Sequence, residues 1–227
     1  MTDDVHVWLI RAGLPDGELG GLAAVLDADE RSRAARLALD DHRRRFIAAH
    51  GVARVIIGHW LSVPAEDIGW RRGPHGKPEL VGFPVHVNLT HSGDVVLLAI
   101  SEHRHCGVDV QRLPDTTQAV RLARRFFPAD EVARVTSPEL FGVLWTRKEA
   151  CLKATGGRLV PGLRLPVDGP VVPGPYVVRD LPVPDGFRAA VALAGTTPYR
   201  VIRHWWPPEL DHEIPDMMAV QTCSTVS

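Results

Sequence analysis

The chain has 227 residues and a formal net charge of −1, from 26 Lys+Arg against 27 Asp+Glu. Hydrophobic residues make up 45% and charged residues 23%, which excludes intrinsic disorder and fibrous repeats and leaves enough apolar mass for a core that needs no disulfides. So even a charge balance also excludes a general nucleic-acid binder, which collects phosphates with a basic excess; any anion site has to be local.

In chain order, Val5 to Ile10 alternates as a strand, and the charged stretch from Asp27 to Arg45 reads as a helix with an arginine-rich face. In the next helix Phe46, Ala49, Ala53, Ile56, Ile57 and Trp60 follow the spacing of a buried stripe, and Pro64 marks its end. Trp70 to Pro78 reads as a turn-rich loop. Val85, Val87 and Leu89 alternate, Ser92-Gly93-Asp94 turns, and Val95 to Ile100 is fully apolar, which together predict a hairpin. Cys106 to Val110 is a third strand, stopped at Pro114. Arg121–Phe127 and Leu140–Ala154 follow as helices, the second closed by Gly156-Gly157. Tyr176 to Val178 is a short strand, and Ala189–Leu193 and Tyr199–Ile202 flank Gly195-Thr196-Thr197-Pro198 as a second hairpin. Helix-then-hairpin thus occurs twice, predicting an α+β chain of two similar lobes, residues 1–105 and 106–206, and a loose tail over 207–227. No Gly-x-Gly-x-x-Gly or Walker loop is present, which argues against dinucleotide or P-loop chemistry.

The acidic start, Met1-Thr2-Asp3-Asp4, is unlike a signal peptide, and no apolar run reaches the roughly 18 residues of a membrane span, so a cytoplasmic, membrane-free protein is expected. Cys106, Cys151 and Cys223 are too scattered for a disulfide framework or a zinc finger.

Three segments could carry chemistry. In Gly107-Val108-Asp109-Val110-Gln111 the carboxylate and the amide share one strand face. That is half a shell for a hard divalent cation such as Mg2+, or else a solvated face. Trp145, Glu149 and Lys153 run up one helical face with Lys148 beside them: a buried acid–base stripe, or a surface pair worth about 0.3–0.5 kcal/mol. Asn88-Leu89-Thr90-His91-Ser92 ends a strand and, with Gly76-Lys77-Pro78, could hold a phosphate; the alternative is a histidine that caps a turn. A serine-hydrolase triad fails for want of a Gly-x-Ser-x-Gly elbow.

Taken in order, these motifs resemble the surfactin-type (Sfp-type) 4′-phosphopantetheinyl transferases. The likeness runs from Asp27 to Ile202 through Gly76-Lys77-Pro78, Asn88-Leu89-Thr90-His91-Ser92, Gly107-Val108-Asp109-Val110, Arg125-Phe126-Phe127 and Trp145-x-x-Lys148-Glu149-x-x-x-Lys153-Ala154. It implies a pseudo-twofold α+β fold, a monomer, with coenzyme A and Mg2+ between the lobes. It implies transfer of the phosphopantetheine arm to a serine of an apo acyl or peptidyl carrier protein, with release of 3′,5′-ADP. Asp109, Glu149 and Gln111 stand at the metal-ligand positions, and many relatives carry Glu where this chain has Gln111. Glu149 is also the base, Lys153 the cation for the transferring phosphate and Lys148 a second contact. Arg33 and His91 match 3′-phosphate contacts, Lys77 and Thr90 line the nucleotide, and Arg45 is a further phosphate partner, with Arg36, Arg43 and Arg44 as alternatives for either arginine. Arg121, Arg124 and Arg125 form a patch that could steer an acidic carrier. The competing expectations are a degenerate relative that binds coenzyme A or a carrier without chemistry, and a Mg2+-dependent nuclease.

Overall fold

The computed structural model describes residues 3–73, 76–156, 163, 165–167, 171–172 and 176–207. The tail expected to be loose and Gly157 therefore lie almost wholly outside the described residues. The first strand is β1 (Asp3–Arg11), followed by helices α1 (Asp16–Ala24), α2 (Ala28–Ala35) and α3 (Asp40–Leu61). Strands β2 (Trp70–Arg72), β3 (Pro78–Leu80), β4 (His86–Ser92), β5 (Val95–Ser101) and β6 (Cys106–Arg112) come next. Helices α4 (Thr116–Phe126), α5 (Ala129–Arg134) and α6 (Pro138–Thr155) precede β7 (Val171–Val172), β8 (Tyr176–Leu181), β9 (Phe187–Ala194) and β10 (Tyr199–Trp206). The α+β class expected from the sequence is the class observed. No helix among the described residues is long and apolar enough to cross a membrane.

Two four-stranded sheets organise the molecule, in the orders β10-β1-β5-β4 and β6-β9-β8-β7. Period-2 alternation distributes the apolar side chains between two faces of each sheet. Val5, Val7, Leu9, Val95, Leu97 and Ala99 share one core with Val108, Val110, Ala189, Val191 and Leu193 of the other sheet. The opposite face of the first sheet, with Ile10, Val96, Leu98 and Ile100, packs on α3. Ala190 and Ala192 of the second pack on helix residues that include Ala123, Phe141 and Ala154. β5 is buried along its whole length, as its unbroken apolar run predicts.

Three expectations are corrected. The stretch from Asp27 to Arg45 is not one helix: α2 ends at Ala35, and α3 begins at Asp40 and runs straight through the next predicted helix. The reason is tertiary. Fully buried Arg54 of α3 binds both Asp27 and Glu30, the two residues of the capping box that starts α2, so α2 must turn back across α3. Trp70 to Pro78 is not only loop but a short hairpin, with Trp70 opposite Leu80 and Arg72 opposite Pro78. The strands at 189–193 and 199–202 do not pair with each other. β9 already has β6 on one edge and β8 on the other, which leaves no free ladder, and β10 crosses to lie parallel to β1, with Asp3 opposite Tyr199. Two helices, α1 and the six-residue α5, fall where no helix was expected.

Candidate active site

The two sheets meet edge to edge at β4 and β6. Along β4, Val87 packs toward α3, which by alternation turns Asn88, Thr90 and Ser92 to the other side. There Asn88 Oδ1 accepts the Val108 N–H at 2.8 Å, and Ser92 Oγ accepts the Arg112 N–H at 2.9 Å. Between them the Thr90 hydroxyl donates to Asp109 Oδ1 at 3.2 Å.

Helix α6 supplies the facing groups. Ser137 caps its N-terminus by accepting the Leu140 N–H, and Gly156 ends it in the left-handed conformation at φ 69°, a backbone that costs glycine nothing. The helix lies directly on β6 because residue 107 has no side chain. A Cβ there would stand 2.1 Å from the Ala150 carbonyl oxygen and 2.3 Å from the Ala154 nitrogen. The close approach brings Lys153 Nζ to 2.6 Å from Asp109 Oδ1 and 3.0 Å from Thr90 Oγ1. Glu149, one turn earlier, shares that face.

Asp109 is 5% exposed, so the solvated-face reading of its strand fails. Burial pushes its carboxyl upward, opposed by Lys153, Thr90 and the Val110 N–H. Its Oδ2 is buried with no hydrogen-bond partner among the described residues. Burial, then the Asp109 charge, raises Glu149 to about 7, with Lys153 pulling the other way. Two close carboxyl groups with an unsatisfied buried oxygen suit a hard cation that takes further oxygens from water or substrate. Among the described residues no cluster of three or more His, Cys, Asp or Glu could enclose a metal unaided. Gln111 is half-exposed and donates to the Arg112 carbonyl at 3.1 Å.

A cationic flank adjoins this centre. His91 is exposed, and its pKa is lowered first by partial burial and then by His50, Lys153, Arg45 and His42. That crowd disfavours another positive charge and favours an anion. Arg45 reaches Asp94 at 2.6 Å, and Arg33 lies over the Phe46 ring, which stacks on His50 with centroids 4.0 Å apart. Lys77 donates to the carbonyls of Cys106 and Ala154 at 2.9 and 2.8 Å, tying the start of β6 to the end of α6. Lys148 is not brought to the centre: it is fully buried against Glu131 at 2.6 Å and also bonds the Leu165 carbonyl. Cys106 and Cys151 are buried, with thiols pushed up to about 12, which removes them as nucleophiles. A cavity of about 490 Å³ lies elsewhere, at the β10 edge, lined by Trp8, Trp60, Trp205 and Trp206, three strands across the sheet from β4.

Residues 105–178, which hold Asp109, Glu149 and Lys153, match the family model of the 4′-phosphopantetheinyl transferase superfamily. The chain is 37% identical over 166 residues, 69% of its own length and 70% of the relative's, to the 4′-phosphopantetheinyl transferase HetI of a Nostoc species. The chain belongs to the 4′-phosphopantetheinyl transferase superfamily. Other phosphopantetheinyl transferases align as well. That named psf-1, of Bacillus pumilus, is 31% identical over 72% of this chain and 76% of the relative, and that named gsp, of Aneurinibacillus migulanus, is 35% identical over 44% of each. Within this phosphopantetheinyl transferase, sequence reasoning overlooked the parts played by Asn88, Ser92 and Gly107. The first two carried a signal, Asn88, Thr90 and Ser92 recurring at period 2 along one strand; the glycine carried none, since its function is to be absent from a contact.

Proposed function

We propose that this enzyme transfers the 4′-phosphopantetheine arm of coenzyme A to a serine hydroxyl of an apo acyl or peptidyl carrier protein. The observation that carries the reading is the buried Asp109 Oδ2, without a hydrogen-bond partner among the described residues, beside a Glu149 raised to about 7 and flanked by Lys153 and by the basic groups around His91. Asp109 and Glu149 would hold Mg2+, with Gln111 reaching it directly or through water. Bound there, the ion supplies charge neutralisation at the pyrophosphate.

Glu149 accepts the serine proton, a role that suits a carboxyl titrating near neutrality. The serine oxygen forms a bond to the β-phosphorus, the bond from that phosphorus to the bridging oxygen breaks, and 3′,5′-ADP leaves with the electron pair. Lys153 steadies the transferring phosphate while its contact with Asp109 fixes its position. His91 and Arg33 bind the 3′-phosphate, Arg45 is a further phosphate partner, and Lys77 and Thr90 lie beside the nucleotide. Lys148 is left out of this reading, because its ammonium is enclosed with Glu131.

Intact-mass spectrometry of apo carrier domains incubated with coenzyme A, Mg2+ and the enzyme tests the proposal. A gain of one phosphopantetheine arm is expected; unchanged masses across peptidyl, polyketide and fatty-acid carriers would overturn it. Asp109→Ala and Glu149→Ala should each lower transfer at least about a hundredfold while melting cooperatively, and activity within a few-fold of wild type would remove the ligand assignment.

A further inference from the structure

The seam between the sheets is built from side chains where a ladder would ordinarily stand. β9 occupies one edge of β6, and the N–H groups of Val108 and Arg112 on the other edge are taken by Asn88 and Ser92. Five residues of β4, Asn88 to Ser92, thus span the five residues of β6, Val108 to Arg112, that include Asp109, and the Thr90 hydroxyl falls between the two bonds, against Asp109 Oδ1. Asn88 is itself buried, so its side chain has no water to fall back on.

We propose that Asn88 and Ser92 are positioning residues for the transfer reaction, fixing the β6 edge so that Asp109 meets Thr90 and Lys153 in one register. This rests on the function proposed above. A backbone ladder would impose its own spacing and bring the main chains together; two side-chain acceptors hold β6 one side-chain length away. That separation leaves room at the seam for the Asp109 carboxyl and the Lys153 ammonium.

The test compares steady-state transfer from coenzyme A to an apo carrier domain, well below each melting midpoint, with amide hydrogen exchange in the absence of substrate and metal. In Asn88→Ala, kcat should fall about tenfold or more while KM for coenzyme A stays within about threefold, the signature of misplaced reacting groups. The Val108 amide should exchange faster, and Asn88→Asp, which keeps an acceptor oxygen, should restore its protection. Ser92→Ala should do the same to Arg112 more mildly, and it carries the test if Asn88→Ala does not fold. Val87→Ala, on the helix-facing side of the same strand, should lower the melting point with kcat unchanged.

Equal kcat losses in Val87→Ala and Asn88→Ala, or a folded Asn88→Ala with wild-type kcat, would overturn the positioning role. In Ser92→Ala, unchanged kcat together with unchanged Arg112 exchange would do so equally. A wild-type protein that transfers nothing would instead remove the underlying function, and the exchange rates would still report whether the seam exists.

Discussion

At the scale of single residues, the centre is two carboxyl groups, Asp109 and Glu149, with the Lys153 ammonium paired to the first. Glu149 has an ordinary value of 4.5 and is raised to about 7. Between those values the unfolded chain has released a proton that the folded chain keeps, so stability falls as pH rises from about 4.5 to about 7. Glu149→Gln should therefore melt like wild type near pH 4.5. By pH 8, with EDTA present, it should be more stable by about 1–3 kcal/mol, a range discounted for the carboxyl's partial exposure. Parallel melting curves at both pH values would remove the buried-acid account. Gln111 tests the other side of the same balance. The site holds one acid fewer than it could, so Gln111→Glu should lower the Mg2+ midpoint of transfer about threefold to tenfold, read from a titration at fixed coenzyme A. An unchanged midpoint would mean that position 111 does not reach the ion. The three lysines divide along these lines: Lys153 stands at the centre, Lys77 braces backbone beside it, and Lys148 compensates a buried acid.

At the scale of elements, the decisive contact is α6 against β6. Gly107→Ala inserts a methyl group where backbone atoms lie 2.1 and 2.3 Å away, and backbone cannot step aside as a flexible side chain can. The helix must lift, which should cost about 1–3 kcal/mol in chemical denaturation and carry Lys153 away from Asp109, with a loss of transfer larger than the loss of stability explains. Full activity in that variant would detach helix placement from catalysis. Elements were legible from the sequence where a local rule governed them: the α3 stripe, the β4–β5 hairpin and the glycine at the end of α6. They were not legible where a distant group decided. Arg54 breaks the predicted 27–45 helix by claiming Asp27 and Glu30, and the three-residue strands of the β2–β3 hairpin are too short for alternation to register.

At the scale of the whole molecule, the site residues could be named from motif order, but their encounter could not be derived, because Thr90, Asp109 and Lys153 come from three elements that only tertiary structure joins. The same holds for sheet membership. Nothing local reveals that the strand at 199–206 belongs beside the one at 3–11; its nearest neighbour in sequence looked like its partner, and that neighbour's edges were taken. This pairing has a temporal consequence. β1 is synthesised before its partner and then waits through about 190 further residues, roughly 10–40 s at ordinary rates of synthesis, before the strand that covers its open edge exists. Throughout that interval a nascent chain carries an unsatisfied strand edge, a condition that invites chaperone capture or association with another chain. In refolding, pulse-labelled amides of β10 should gain protection in the slowest phase, well after the β4–β5 hairpin, because closing so large a loop is the costliest contact in the fold. Protection of β10 together with that hairpin would mean that the two ends of the sheet find each other early, and that the newborn chain is far less exposed than its topology implies.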